Sequence, residues 1–193
     1  MTSFVNMVFN FPILAPGSLS EQFWLHDAGD FAAAETWVRQ LPYRRNAERM
    51  DPLVLFAEGC GTCSTKHAAL YRLAKEQGRE EVQLCMGIFR MNRFNTPGVA
   101  PVLDRYGLAY IPEAHNYLRI AGEILDATRV HASADDFAPE LIEECVISPE
   151  QIGEDKVNYH KAFIERWLPT VALPYSAGEL WAIREACIAA LSR

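Results

Sequence analysis

The stretch from Thr62 to Gly78 constrains the fold more than any other part of this chain. Thr62 can accept a backbone hydrogen bond as an N-cap, and Gly78 can adopt the left-handed conformation that ends many helices. The residues between them that recur at helical spacing predict one amphipathic helix: Cys63, His67, Leu70, Leu73 and Ala74. Because such a stripe must be buried against other elements, we expect this helix to run through the core.

The segments after this helix predict an antiparallel sheet. Residues 82–91 have the pattern of a strand, and residues 113–119 and 124–128 predict two more strands joined through Ala121-Gly122. Helical patterns flank these strands and are expected over residues 19–41, 102–106, 156–168 and 177–191. A helix, then strands, then helices predicts an α+β domain rather than a regular βαβ alternation.

The remaining segments complete a single predicted domain, residues 1–193. Alternating side chains over residues 4–11 favour a half-buried strand at the N-terminus. Residues 131–193 are expected to form a helical C-terminal extension, in which residues 140–144 are a solvated helical face. The sequence contains neither repeats nor a Ser/Gly linker, so nothing in it suggests a second domain.

Composition and charge argue against several classes of function. The chain has 193 residues, half of them hydrophobic, which is enough to build a core without disulfides or a structural metal. Its net charge is −7, and residues 131–193 carry 11 acidic and 5 basic side chains. Because phosphate binding needs clustered Lys and Arg, we expect no nucleic-acid partner.

The N-terminus and the cysteines indicate the compartment. No basic residue precedes the apolar stretch at the N-terminus, so we expect neither a signal peptide nor a membrane partner. Five cysteines without a regular framework favour a reducing compartment, and we expect a cytoplasmic protein.

Cys63 is the first candidate for chemistry. At a helix N-terminus, unpaired backbone N–H groups and the positive end of the helix dipole stabilise a thiolate. The same N–H groups can receive the oxyanion of a tetrahedral intermediate. Acyl transfer by such a thiolate also needs an imidazole and a group that orients it.

His115 and Asp126 can supply that pair. They lie on the two predicted strands that flank Ala121-Gly122. If the connecting loop has an even number of residues, the alternation of side chains along strands puts both on the same face of the sheet. An odd loop would place them on opposite faces.

These residues together resemble the transglutaminase-like core of the papain-like cysteine enzymes. The resemblance covers about residues 30–130 and is carried by AAAETWVRQLPY at 32–43, Gly61-Thr62-Cys63, the strand at 82–91, Ala114-His115-Asn116 and Leu125-Asp126-Ala127-Thr128. It implies a central helix packed on an antiparallel sheet. It also implies Cys63 as nucleophile, His115 as general base and acid, and Asp126 as its orienting partner.

The resemblance further implies a cysteine hydrolase or acyltransferase that acts on a peptide or a small amide or ester. No acidic cluster resembles a calcium site, so neither a cofactor nor a metal is expected. Gln40, Tyr43 and Asn46 are the candidates for a second oxyanion donor.

Alternatives remain open. Cys60 and Cys63 form a C-x-x-C, with His67 one turn further along, which permits a thiol redox or metal-binding protein. A thioredoxin-like arrangement would use residues 53–56 as the strand before the motif. His67 also competes with His115 as the base, although it is expected to lie beneath the thiol. The chain can also be a binding module that has this fold without turnover.

Overall fold

The fold is described from a computed structural model, which defines residues 9–191. Most of the strand predicted at residues 4–11 therefore lies outside the described residues. Residues 9–11 are not part of a strand, and only the next residue, Pro12, forms an isolated antiparallel bridge with Asp30.

The N-terminal third is helical, but in more pieces than predicted. Residues 19–41 form two helices, α1 (Ser18–Leu25) and α2 (Phe31–Gln40), rather than one. Asp27 between them takes a left-handed conformation with φ 57°, and the Asp30 side chain caps α2 by accepting a hydrogen bond from the Ala33 backbone N–H at 2.8 Å. The prediction of a continuous helix was wrong because Asp30 offers the backbone a helix start in the middle of the apolar periodicity.

A short helix and the long central helix follow. Helix α3 spans Val54–Glu58, and α4 spans Cys63–Glu76. Thr62 caps α4 in a reciprocal pair with Thr65, and Gly78 follows its end with φ 68°, as the sequence predicted. Residues 53–56 thus belong mostly to a helix, which removes the strand that the thioredoxin-like alternative required.

Four antiparallel strands form one sheet in the order β3-β2-β1-β4. They are β1 (Val82–Asn92), β2 (Tyr110–Ile120), β3 (Glu123–Leu125) and β4 (Leu141–Val146), and α5 (Ala100–Arg105) connects β1 to β2. The strand predicted at 124–128 is shorter than expected and ends before Asp126. The mixed α+β fold class is confirmed.

The C-terminal region is not a purely helical extension. Leu141–Val146 pairs with β1 as an edge strand, so the prediction of a helical face at residues 140–144 was wrong. Pro139 and the short apolar run after it allow an extended conformation, and the vacant edge of β1 supplies its hydrogen bonds. Helices α6 (Glu154–Trp167) and α7 (Ala177–Leu191) follow, close to the predicted positions.

Apolar side chains on both faces of the sheet are covered. Leu84 and Leu118 pack with Leu70 and Leu73 of α4 in one cluster, which also includes Phe23 of α1. A second cluster brings strand residues against α7: Cys85, Phe89, Tyr117, Ile183 and Cys187. The C-terminal helices are therefore part of the same core as the strands, and they reach the N-terminal end of α4. None of the described helices combines the length and hydropathy needed to cross a membrane.

Candidate active site

Cys63 is the first residue of α4, and the local sequence fixes its position. The Thr62 backbone N–H donates to Thr65 Oγ1 at 3.0 Å, which closes the cap. At Gly61 a Cβ atom would lie 2.5 Å from Leu55 Cδ2 and 2.9 Å from Thr65 Oγ1. Because a side chain there would press against both, glycine lets the backbone pass close to α3 and to the first turn of α4 just before Cys63.

His115 and Asp126 are in contact, as the hairpin geometry predicted. A two-residue loop, Ala121-Gly122, joins β2 to β3, so the condition of an even loop is met. His115 Nε2 lies 2.9 Å from Asp126 Oδ2. Asp126 Oδ1 also accepts hydrogen bonds from the backbone N–H and the hydroxyl of Thr128, which hold the carboxylate in place. The carboxylate both caps this turn and orients the imidazole.

The thiol and the imidazole form a polarised pair. His115 and Cys63 line the same cavity and interact electrostatically, and Nδ1 is the ring nitrogen that Asp126 leaves unoccupied because Nε2 faces that carboxylate. Burial raises the pKa of Cys63, but Lys156 and His115 outweigh burial and lower it to about 6. Burial lowers the pKa of His115, but Asp126 and Cys63 outweigh burial and raise it to about 10. Near neutral pH the pair is therefore a thiolate and an imidazolium.

Lys156, at the start of α6, is a site residue that the sequence did not reveal. Its Nζ lies 3.5 Å from Cys63 Sγ and donates hydrogen bonds to Ser64 Oγ at 2.9 Å and Asn116 Oδ1 at 2.7 Å. The side chain is 9% exposed, so its charge acts on the sulfur with little water between them. In the sequence this lysine is only one polar position of an amphipathic helix, and no motif singles it out.

Asn116 holds the lysine in place. It follows His115 in β2, and successive side chains of a strand point in opposite directions. Its Oδ1 accepts from both Lys156 and Ser64, while its Nδ2 donates to the Cys85 carbonyl at 3.1 Å. This buried amide therefore fixes the ammonium beside the thiolate.

His67 is a structural residue rather than the base. The ring is fully buried, its Nδ1 lies 2.7 Å from the Cys63 carbonyl, and its Nε2 accepts the Ala127 backbone N–H at 2.7 Å. Burial lowers its pKa to about 4, so it is neutral near pH 7. Both nitrogens are occupied by backbone groups, and the ring ties the first turn of α4 to the loop that carries Asp126.

Cys60 lies apart from this chemistry. All five cysteines are free, and Cys60 Sγ accepts a hydrogen bond from Arg44 Nε at 3.3 Å. Cys60 lines neither of the two cavities that meet at Cys63. Within residues 9–191 no group of three or more His, Cys, Asp or Glu side chains could hold a metal ion.

Two cavities open at the thiol. The larger, about 200 Å³, we call the arginine chamber after its charged lining: Arg45, Arg49, Lys156, Arg184, Glu113 and Glu185. The smaller, about 90 Å³, we call the apolar chamber after Phe89, Met91, Phe137, Ile188 and Leu191. Cys63 lines both chambers, whereas His115 and Asp126 line only the apolar one.

Tyr43 fits best among the three candidates for a second oxyanion donor. It lines both chambers beside Cys63. Burial and the neighbouring Cys63 raise the pKa of Tyr43, which keeps its hydroxyl protonated. Asn46 instead donates to Glu58 and to the Cys60 carbonyl, and Gln40 lines neither chamber.

Comparisons with protein-family models, with curated proteins and with solved structures found no match to this chain. The assignment of chemistry to this site therefore depends on its own geometry.

Proposed function

We propose that this chain is a cysteine-nucleophile enzyme of transglutaminase-like, papain-related architecture that transfers an acyl group from an amide or ester. The observation that carries the proposal is a thiol at the start of a helix that lines one cleft together with an imidazole and the carboxylate bonded to it: Cys63, His115 and Asp126. A nucleophile, a base and an orienting carboxylate within hydrogen-bond reach are the parts that such catalysis needs.

The proposed reaction has two steps. The Cys63 thiolate attacks the carbonyl carbon, a C–S bond forms, and the bond to the leaving amine or alcohol breaks as the His115 imidazolium donates it a proton. Water or an amine then gives its proton to the neutral imidazole and attacks the thioester. The C–S bond breaks, the thiolate returns and the acyl group leaves on its new acceptor.

In both steps a negative charge develops on the carbonyl oxygen, and hydrogen-bond donors must stabilise it. We assign them to the backbone N–H groups at the first turn of α4, with Lys156 and the Tyr43 hydroxyl beside them. A buried cation within reach of the sulfur is also close to any carbonyl bonded to that sulfur. Removing one such donor typically costs roughly 100- to 1000-fold in kcat.

Alkylation of Cys63 as a function of pH tests the nucleophile. The protein is treated with limiting iodoacetamide between pH 5 and 9, and modified peptides are quantified by mass spectrometry. Cys63 is expected to react fastest, with a rate that rises through a pKa near 6. Cys187 is an internal control, because burial raises its pKa to about 11.

A thioester trap tests the reaction itself. The protein is mixed with 4-nitrophenyl acetate, and an added acetyl group on Cys63 is sought by intact mass and peptide mapping. We expect the adduct in the unmodified chain and its absence in Cys63→Ser. A reactive Cys63 that never carries an acyl group with any ester or anilide would favour the non-catalytic binding module instead.

A further inference from the structure

The charges of the arginine chamber are unequal. Arg184 donates from Nε and Nη2 to both carboxylate oxygens of Glu113 and from Nη1 to Glu185, and Arg45 donates to the other oxygen of Glu185 at 2.8 Å. These two arginines and two glutamates therefore neutralise one another. Arg49 lines the same chamber, is exposed, and has no hydrogen bond or ion pair to any residue within 9–191.

Acylation of the Cys63 sulfur increases the excess of positive charge in the arginine chamber. In the resting site the Cys63 thiolate balances Lys156, whose Nζ is 3.5 Å away. A thioester carries no charge, so the buried ammonium loses its counter-charge at the moment the acyl group is attached. Because an uncompensated buried charge is costly, an anionic group on the acyl chain would be stabilised here.

The position of His115, the proposed general acid, determines which part of the substrate lies in each chamber. The leaving group must receive its proton from His115, and His115 lines only the apolar chamber. The leaving group therefore departs into the apolar chamber. The acyl chain, on the other side of the carbonyl, extends into the arginine chamber between Lys156 and Arg49.

We propose that the acyl group this site accepts is short and carries a carboxylate that Arg49 binds, while the leaving group is apolar. This inference rests on the proposed function. A guanidinium with free N–H groups suits a carboxylate in particular, because its planar donors match both carboxylate oxygens. The 200 Å³ of the chamber fit a short chain and not a folded protein segment.

Two anilides of equal chain length test the preference. The kcat/KM of the intact chain is measured with succinyl 4-nitroanilide, which carries a carboxylate, and with butyryl 4-nitroanilide, which does not. We expect the succinyl substrate to be favoured by about tenfold or more, as for a charge-assisted hydrogen bond. Equal values for the two substrates would overturn the inference.

A pair of variants tests whether Arg49 causes the preference for the succinyl substrate. Arg49→Gln is expected to lower kcat/KM about tenfold for the succinyl substrate and to change the butyryl value much less, so that the ratio of the two values falls. Arg129→Gln is the matched control, because Arg129 is also exposed, loses the same charge and lines the apolar chamber. An equal loss in both variants would show a general charge effect and would contradict the assignment to Arg49.

A measurement without turnover separates this inference from the proposed function. The ratio of Cys63 alkylation rates with iodoacetate and iodoacetamide reports on the charge of the chamber, since the reagents differ by a carboxylate. We expect the ratio to fall severalfold in Arg49→Gln and to be unchanged in Arg129→Gln. A falling ratio with no acyl adduct would reject the enzyme but keep the anion site. Turnover with an unchanged ratio would reject the anion site alone.

Discussion

Lys156 Nζ lies 3.5 Å from Cys63 Sγ although 93 positions separate the two residues in the sequence. The helix start and His115 already favour a thiolate, and the ammonium adds a full charge in a buried setting. In the proposed reaction the same cation would lie near the carbonyl oxygen of an acyl group bound to the sulfur. One side chain from the C-terminal region thus links the first turn of α4 to strand β2.

Lys156→Met is expected to raise the pKa of Cys63 above about 6 and to slow its alkylation at pH 7 about tenfold or more. The charge of Lys156 is the largest single contribution that lowers this pKa, and methionine keeps the length of the side chain without its charge. The measurement is the pH profile of Cys63 alkylation. Lys161→Met, on the same helix and over the Trp181 ring, is the control and should leave the profile unchanged. An unshifted profile in Lys156→Met would show that the ammonium does not act on the sulfur.

Asp126→Asn is expected to lower kcat/KM by about 100-fold or more. An amide N–H facing Nε2 would leave the imidazole proton on Nδ1, the nitrogen that must take a proton from the thiol. The charge that raises the pKa of His115 would also be lost. Steady-state kinetics with an activated ester or anilide would measure the change. Thr128→Val removes a hydroxyl donor to Asp126 Oδ1 and should have a smaller effect, because the contact with Oδ2 is retained.

The pH dependence of kcat/KM is expected to be bell-shaped. Activity should rise as Cys63 loses its proton with a pKa of about 6. It should fall as His115 loses its proton with a pKa of about 10, because the general acid is then absent. A substrate whose charge is constant between pH 5 and 11 makes the profile a property of the enzyme. A single rising limb near pH 8.5 would indicate an ordinary thiol and no ion pair.

Stability should fall on mild acidification because of His67. Burial lowers the pKa of this ring from 6.5 to about 4, so the folded state binds its proton less readily than the unfolded chain. The stabilisation is complete above pH 6.5 and is lost as the pH falls towards 4, with an expected change of about 3 kcal/mol. His160, whose pKa burial also lowers, contributes with the same sign.

Urea unfolding between pH 4 and 7 measures this loss, with His67→Gln as the informative variant. The variant is expected to be less stable at pH 7, because its ring hydrogen bonds are lost, but to have a smaller dependence on pH. If the free energy of unfolding of His67→Gln depends on pH as steeply as that of the unchanged chain, other groups cause the acid sensitivity.

Much of the site was predictable because its signals are local. The cap at Thr62, the tight approach at Gly61 and the stop at Gly78 are each encoded within one or two helical turns. The two-residue loop at Ala121-Gly122 fixes the parity that brings His115 and Asp126 to one face. These features depend on the backbone preferences of neighbouring residues, which can be predicted directly from the sequence.

Other parts needed the folded chain. The break at Asp27 and the cap at Asp30 were not predicted, because the apolar periodicity runs across both positions. Leu141–Val146 has no strong preference that distinguishes a strand from a helical face, and pairing with β1 decided its conformation.

By itself, the sequence determined the position of the thiol at a helix start and the mixed α+β class, and it predicted the pairing of the imidazole with a carboxylate on the condition of an even loop. Only the tertiary structure decided that Lys156 and Asn116 flank that thiol, that Tyr43 faces it, and that one chamber beside it is cationic. The physical reason is that caps and tight turns are set by interactions between near neighbours. Contacts across 40 or 93 positions, such as those of Lys156, exist only once the helices and the sheet have packed together.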